Sequence, residues 1–404
     1  MYAHLHRAGK LGLGGCMRPE CKHETLFTEK YRYLVGPFIA AAANGDWLVT
    51  WNMSIRREEG RYSPRRYLHP PEDPEYRNYM IRSKDQGKTW GLPRAVPTYE
   101  WTGTEHVSLC PLENGELLAA FYQREFFPLE EGKKNQSHRY GWHHNPPYPW
   151  IVTHGGTYVF RSKDNGETWD ESGSIDASPF ISAYSPRPIV QIDDDTLMFT
   201  AGAADPMYVN GYWRKPPHTV KNSRGNRIVN GSILEEASRV YICISRDGGH
   251  SWRETREIAA HPDYDFLEPT MIRFSSGRLV CHLRNCRQTS YLWQVISDDD
   301  GETWSEPAMT PMWGYPAHLV QLSDGRLLSV YGHRREPYGI RACVSRDEGN
   351  TWDYDDEIII RDDLVSASIG YPVSIVLEDD SVATVYWDED AGGNTSVVLS
   401  TYRL

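Results

Sequence analysis

The sequence predicts an all-β protein: six four-stranded antiparallel blades in a ring, a β-propeller whose last blade is closed by an N-terminal strand. Three observations predict it. The phrase S-x-D-x-G-x-[TS]-W occurs five times, from Ser83, Ser162, Ser245, Ser297 and Ser345, and takes five of the 14 Trp residues. A second pattern, apolar strand, tight polar turn, apolar strand, alternates with the first. It occurs six times, from Phe38, Val107, Pro188, Thr270, Ala317 and Pro372. One unit is therefore about four antiparallel strands, and radial repetition of four-stranded sheets makes a propeller. The length of 404 residues would otherwise suggest two or three domains, but closed all-β folds are the exception.

Each element has a local reason. The stretches "YMIR", "YVFR", "VYICI", "LWQVI" and "IRACV" are apolar and β-branched or alternating, so they read as strands. Each runs into a repeat phrase, which makes the phrase a hairpin turn. Its Asp accepts hydrogen bonds from turn N–H groups, and its Gly takes the positive φ the turn needs. The Trp ring folds over the turn, and Ser and Thr bond across it. None of this is chemistry on a substrate. The sixth unit ends "SVVLSTYRL" after its third strand. The missing outer strand must come from elsewhere, and the stretch near "HETLFTE" is the natural donor. Residues 1–30 are then an N-terminal extension holding the closing strand, and 1–404 a single domain. The inserts at 123–156 and 204–237, rich in Gly, Pro, His, Trp and Tyr, are expected to be surface loops.

Composition narrows function. The net charge of −12 argues against a general nucleic-acid binder, which would carry a basic stripe. No run of 18 apolar residues is present, so no membrane-spanning helix is expected. The first twenty residues lack a continuous apolar region, so the expected location is cytoplasmic. Seven Cys do not make a disulfide framework, and Cys243 and Cys343 fall in apolar runs as buried small hydrophobes. Cys16, Cys21 and His23, Cys281 with Cys286, and the His-rich segment 131–156 are weak metal patterns. No metal or organic cofactor is expected.

The five turn phrases are Asp-box repeats, and the six-unit layout resembles the sialidase superfamily from about Tyr31 onward. That resemblance implies a site at the propeller axis, with a Tyr nucleophile paired to a Glu, an acidic proton donor, and three Arg on a substrate carboxylate. A Tyr nucleophile suits a sugar whose anomeric carbon carries a carboxylate, because a charged nucleophile would be repelled. "EPTMIRFSSGRLVCHLRN" is similar to the segment supplying the Glu and one Arg, here Glu268 and Arg284. "YGIRACVSRDEGNTW" is similar to the segment with the third Arg, here Arg341, with Arg334 and Arg335 as alternatives. "GYPVSIVLEDDSVATVYW" is similar to the nucleophile segment, here Tyr371, although Pro372 stands where the family often has Ser.

The resemblance fails in two places. The first family Arg sits in an F-R-I-P phrase. Here "YLVGPFIAAAANG" aligns Pro37 with the motif Pro and puts Val35 where the Arg belongs. A neutral side chain does not replace a guanidinium fork, and one lost charge-assisted contact is worth roughly 1.5–3 kcal/mol. Arg56, Arg57 and Arg187 are candidates to move in. The acid is also open: Glu59 lies nearest the expected spacing, with Glu58 beside it and Asp73 further on. Glu105, His106, Asp205 and His318 are further rim candidates from their positions. The resemblance implies a retaining, exo-acting glycoside hydrolase for a terminal acidic sugar. The alternatives are the same fold acting on a uronic acid or neutral sugar, a non-catalytic glycan-binding propeller, and a purely structural or protein-binding propeller.

Overall fold

In the computed structural model, residues 16–55, 73–96, 102–135, 148–176, 189–203, 238–286 and 288–404 are described, with five short strands between 208 and 233. Six four-stranded antiparallel blades form the ring. From inner to outer strand, blade 1 is Arg32–Ala41, Trp47–Ile55, Arg77–Ser83 and Arg94–Ala95. Blade 2 is Thr102–Pro111, Leu117–Pro128, Trp150–Ser162 and Asp170–Ile175. Blade 3 is Ile189–Gln191, Leu197–Ala203, Arg239–Ser245 and Glu254–Ala259. Blade 4 is Leu267–Arg273, Leu279–Arg284, Tyr291–Ser297 and Ala308–Trp313. Blade 5 is Ala317–Gln321, Leu327–His333, Tyr338–Ser345 and Ile358–Leu364. Blade 6 takes Gly370–Val376, Val382–Glu389 and Thr395–Tyr402 from the C-terminal end, and its outer strand is Cys21–Thr28.

The closing strand is paired from Cys21↔Tyr402 to Thr28↔Ser396, with one irregularity between Thr25 and Phe27. That irregularity accompanies a contact across to blade 1, where Phe27 stacks on Trp51 with ring centroids 5.0 Å apart. Leu26 and Phe27 join a core cluster that runs from Val385 and Leu399 of blade 6 through Leu48 and Trp51 to Leu117 and Phe121 of blade 2. The first and last segments of the chain thus close the ring together.

The five turn phrases share one hydrogen-bond set. In blade 2, Ser162 Oγ donates to Asp164 and accepts from Gly166 N–H at 2.7 Å; Thr168 N–H and Oγ1 donate to the two Asp164 oxygens at 2.8 and 2.6 Å. The same pattern recurs at Asp85, Asp247, Asp299 and Asp347. Gly166 has φ +83°, as the tight turn demands. A Cβ on it would touch Leu48 of the preceding blade at 3.0 Å, so the turn also serves as a seat between blades. Cys243 and Cys343 are buried as expected, and burial pushes both thiols up to about 12.

The inserts differ from the expected loops. Blade 2's second and third strands run on as a ladder, Arg124↔His154 to Pro128↔Trp150, and the helix Leu129–Asn135 caps the arm. Phe126, Ile151 and Val152 are buried there. Apolar side chains on both faces, Phe126 with Val152 on one and Ile151 on the other, with backbone groups satisfied in the ladder, make the extension favourable. The second insert holds short paired strands, Tyr208–Val209 with Tyr212–Trp213, and Thr219–Lys221 with Arg227–Val229 and Ser232–Ile233.

Candidate functional site

A backbone device repeats at the heads of the inner strands. In blades 1, 2, 4 and 6 the ladder skips two residues, between Val35 and Phe38, Glu105 and Ser108, Leu267 and Thr270, and Gly370 and Val373. The first skipped residue in each case has a positive φ: Gly36 at +60°, His106 at +50°, Glu268 at +39° and Tyr371 at +48°. For a non-glycine residue this costs about 1–3 kcal/mol, and such strain collects at functional sites. Three of the four skipped pairs end in proline, Pro37, Pro269 and Pro372. Proline has no N–H to lose where the ladder is interrupted, so Pro372 after Tyr371 has a physical reason.

Three of these side chains meet. The Tyr371 hydroxyl donates to Glu268 Oε1, and Arg284 Nη1 forms an ion pair with Glu268 Oε2. The same Arg284 nitrogen donates to the Tyr371 hydroxyl at 3.0 Å. His106 lies flat against Tyr371, centroids 4.9 Å apart and planes 14° from parallel. Trp387 covers another side of Tyr371 at 4.9 Å. The placement of His106 is set from blade 1: its N–H donates to Asn52 Oδ1 at 2.7 Å, and Asn52 in turn donates to Asn78.

The electrostatics are those of a coupled cluster. Burial drives the Glu268 carboxyl upward, but the Arg284 charge and its hydrogen bonds outweigh this and hold it below the usual range. Burial, and then the Glu268 charge, push the Tyr371 phenol up. Burial opposes the charge on Arg284, yet the Glu268 carboxylate raises its pKa well above normal. A buried phenol bonded to an ionised carboxylate is a proton donor and acceptor in contact, which is the arrangement of a nucleophile with its base.

Other expected residues fall elsewhere. Arg341 is buried in the third strand of blade 5, paired with Tyr331 and Ile359, and its charge acts on His333 and Asp362. Arg334 reaches the Tyr371 cluster: its guanidinium carbon lies 5.7 Å from the centroid of the Tyr371 ring and 5.5 Å from that of Trp387. Arg335 is exposed and lies over Trp313 at 4.2 Å. His318 is a tie below the rim, accepting from Ser374 N–H at 3.3 Å and meeting Phe38 edge-on. Asp73 is buried and accepts from Glu75 N–H at 2.9 Å. Glu105 sits in the inner strand of blade 2. Arg56, Arg57, Glu58, Glu59, Arg187 and Asp205 lie outside the described residues, as do His138, His143 and His144 of the His-rich segment. Among the described residues no three His, Cys, Asp or Glu side chains cluster as metal ligands.

Where the first Arg of the resemblance would stand, Val35 packs with Tyr76 and Trp387, and Tyr33 and Tyr371 border them. Blade 1 thus offers an apolar face beside Tyr371. Tyr315 was not anticipated at all. It lies 4.6 Å beneath the Arg284 guanidinium and 5.3 Å beneath that of Arg334. A signal for it exists in the sequence: X-Pro opens the first strand of five units, at Gly36, Arg187, Glu268, Tyr315 and Tyr371.

A propeller with a phenol, a carboxylate and guanidinium groups gathered at its inner strand heads defines a sialidase-like class of glycoside hydrolase fold. The chain belongs to the BNR repeat-like domain family, which matches residues 146–385, more than half of it. Curated sialidases of Paraclostridium sordellii and Clostridium perfringens are 25% and 24% identical over 215 and 210 residues. Those matches cover 49% and 48% of this chain, and the chain spans about half the length of these relatives, 49% and 51%. Among solved structures, a protein of unknown function from Dyadobacter fermentans has a TM-score of 0.78 at 21% identity, covering 95% of this chain and 99% of that one. The NanB sialidase of Streptococcus pneumoniae has a TM-score of 0.59 at 13% identity, covering 94% and 70%. An alpha-L-arabinanase of Penicillium chrysogenum, complexed with arabinobiose, has 0.59 at 16%, covering 95% and 99%. At these identities the structural likeness is one of fold.

Proposed function

We propose that the protein is a retaining, exo-acting glycoside hydrolase that releases a terminal acidic sugar of the sialic acid type. The observation that carries this reading is the contact of Tyr371, Glu268 and Arg284 at a strained inner rim. Tyr371 oxygen attacks the anomeric carbon while Glu268 takes the phenolic proton. The bond to the leaving oxygen breaks, and an acid protonates that oxygen; Glu59 of segment 56–72 is the candidate acid. Water, deprotonated by the same acid, then cleaves the tyrosyl glycoside, and Glu268 returns the proton to Tyr371. A neutral phenol nucleophile avoids repulsion by the sugar's own carboxylate. Among the described residues, Arg284 and Arg334 are the guanidinium groups in contact with Tyr371, so in this reading they bind the acidic group of the sugar.

One observation favours a second reading, action on a neutral sugar: the Val35, Tyr76 and Trp387 face occupies the place of a third Arg. A panel of aryl glycosides of sialic acid, uronic acids and arabinose separates the two. Turnover of the sialoside should fall by about 10²–10⁴-fold in Glu268→Gln and at least as far in Tyr371→Phe. A 2,3-difluorinated sialic acid should label Tyr371, detected by peptide mass. Wild-type turnover by both variants would remove the site from the reaction.

A further inference from the structure

We propose that Tyr315 is a positioning residue whose ring holds Arg284 and Arg334 as a spaced pair of cations for a single anionic group. The inference rests on the acidic-sugar reading above for its ligand, though not for its geometry. Both guanidinium groups lie over the one ring, at 4.6 and 5.3 Å. Two like charges this close repel, and burial followed by the Arg284 charge lowers the Arg334 pKa. The electron-rich face of the phenol ring offsets part of that repulsion for both.

The two arginines are not equivalent. Arg284 is matched by Glu268. Arg334 has no carboxylate partner among the described residues, and its Nε and Nη2 are buried with no hydrogen-bond acceptor. Its surroundings are instead three aromatic rings, Tyr315, Tyr371 and Trp387. With Tyr371 neutral, the cluster of Glu268, Arg284 and Arg334 carries one uncompensated positive charge. A ligand with one negative charge completes it, and a neutral sugar does not.

The ring is held from the backbone. Tyr315 N–H donates to Gly332 carbonyl oxygen at 2.9 Å, two residues before Arg334. Neither glycine at this contact has room for a side chain. A Cβ on Gly314 would lie 2.6 Å from the Gly332 oxygen, and one on Gly332 would lie 2.9 Å from the Tyr315 oxygen. The close approach fixes the distance between the Tyr315 ring and the strand end that carries Arg334. The Tyr315 ring therefore acts through the two arginines, and its loss should change recognition of charge more than the chemical step.

The test compares Tyr315→Phe, which keeps the ring, with Tyr315→Leu, which removes it. Calorimetry measures binding of N-acetylneuraminic acid and of its methyl ester to the full chain, and kcat is taken on the sialoside. Tyr315→Phe should bind the acid within about threefold of wild type, and Tyr315→Leu about tenfold or more weaker, with ester binding changed less than about threefold and KM for the sialoside rising more than kcat falls. Wild-type acid binding by a folded Tyr315→Leu, or equal loss for acid and ester, overturns the proposal. Arginine Nε–H resonances of the full chain provide a second readout. Two of them should carry ring-current shifts in wild type and Tyr315→Phe; in Tyr315→Leu the Arg284 shift should be lost and the Arg334 shift, to which Tyr371 and Trp387 also contribute, should change. If wild type binds neither sugar but those shifts are present, the acidic-sugar reading fails and the Tyr315 platform stands. If the shifts are absent, the platform itself is refuted.

Discussion

Replacing Gly36 with alanine tests how the site is braced from blade 1. A Cβ at that position would lie 2.3 Å from Nδ1 and 2.5 Å from Cε1 of His106, and 3.3 Å from Asn52 Oδ1. Gly36 also has φ +60°, where an L side chain costs about 1–2 kcal/mol. The overlap adds about 1–3 kcal/mol of overpacking, so a rigid site would lose about 2–5 kcal/mol in all. The cheaper response is for the imidazole to swing away, which gives up its stack on Tyr371, worth about 0.5–1.5 kcal/mol. The expected result is a loss of about 1.5–3.5 kcal/mol in urea unfolding, with a fall in kcat for the folded enzyme as Tyr371 loses its stacking partner. Measured against His106→Ala alone, adding Gly36→Ala should relieve the overlap and cost only the backbone strain of about 1–2 kcal/mol. A Gly36→Ala protein within about 0.5 kcal/mol of wild type, with wild-type kcat, would refute the packing argument.

Three other outcomes follow from the geometry. Arg334→Met should weaken binding of the acidic sugar by about 10–100-fold, whereas Arg341→Met should leave binding within a few-fold and lower stability; titration calorimetry on both variants reads the difference. The carboxyls of Asp85, Asp164, Asp247 and Asp299 are held down to about 2, chiefly by the turn Thr or Ser and backbone hydrogen bonds, with burial opposing. Glu268 is likewise lowered, by Arg284 against burial. Folded values below unfolded ones give stability that is complete above the unfolded value near pH 4 and lost as pH falls toward about 2. Burial also lowers His282 and His333 from the usual imidazole value to about 4, so their contribution begins to fall below about pH 6.5. Thermal melts should therefore decline gently from about pH 6.5 and drop steeply below about 4.5; a drop already complete at pH 5 would contradict it. Removing Cys21–Thr28 opens the outer edge of blade 6 and uncovers Trp51. The truncated chain should lose its single cooperative unfolding transition, and an unchanged melting temperature would show that the strand does not close the ring.

The ring was legible because its repeat is local chemistry. Asp164 and Gly166 act on hydrogen bonds within eight residues, so composition and spacing are enough to read the turn. Glu268 and Tyr371 were legible through the resemblance of their segments; the structure adds that both stand at the same place in their units, directly before a proline and a β-branched run. Arg334 and Arg341 share a hairpin, and proximity to the repeat phrase favoured the latter. The ladder places the two differently. Arg341 is fixed mid-strand between Tyr331 and Ile359, while Arg334 lies past the end of Leu327–His333, free to bend over Tyr371. Tyr315 escaped because its partners come from blades 4 and 5, and no local pattern encodes a guanidinium pair across one ring. The extended arm of blade 2 escaped because Pro, His and Gly near 141–149 suggested a loop, while Phe126 and Ile151 were what held the strands together.

The missing blade 1 arginine is best understood with its neighbours. Val35 is nearly buried against Tyr76 and Trp387, and Trp387 in turn flanks Tyr371 and faces Arg334. A guanidinium at Val35 would have to leave water for this apolar contact beside Arg334, whose Nε and Nη2 find no hydrogen-bond acceptor among the described residues. The apolar side chain at Val35 and the aromatic wall beside Arg334 therefore belong together, since a wall that packs against the Arg334 guanidinium leaves no water for a second charge at Val35. The strained residues fit the same logic. His106, Glu268 and Tyr371 occupy one backbone position in three blades, so the left-handed bend sets where a side chain is aimed and the residue type alone sets what it does there. Within this ring, specificity can change by substitution at strand heads without disturbing the turns on which the fold depends.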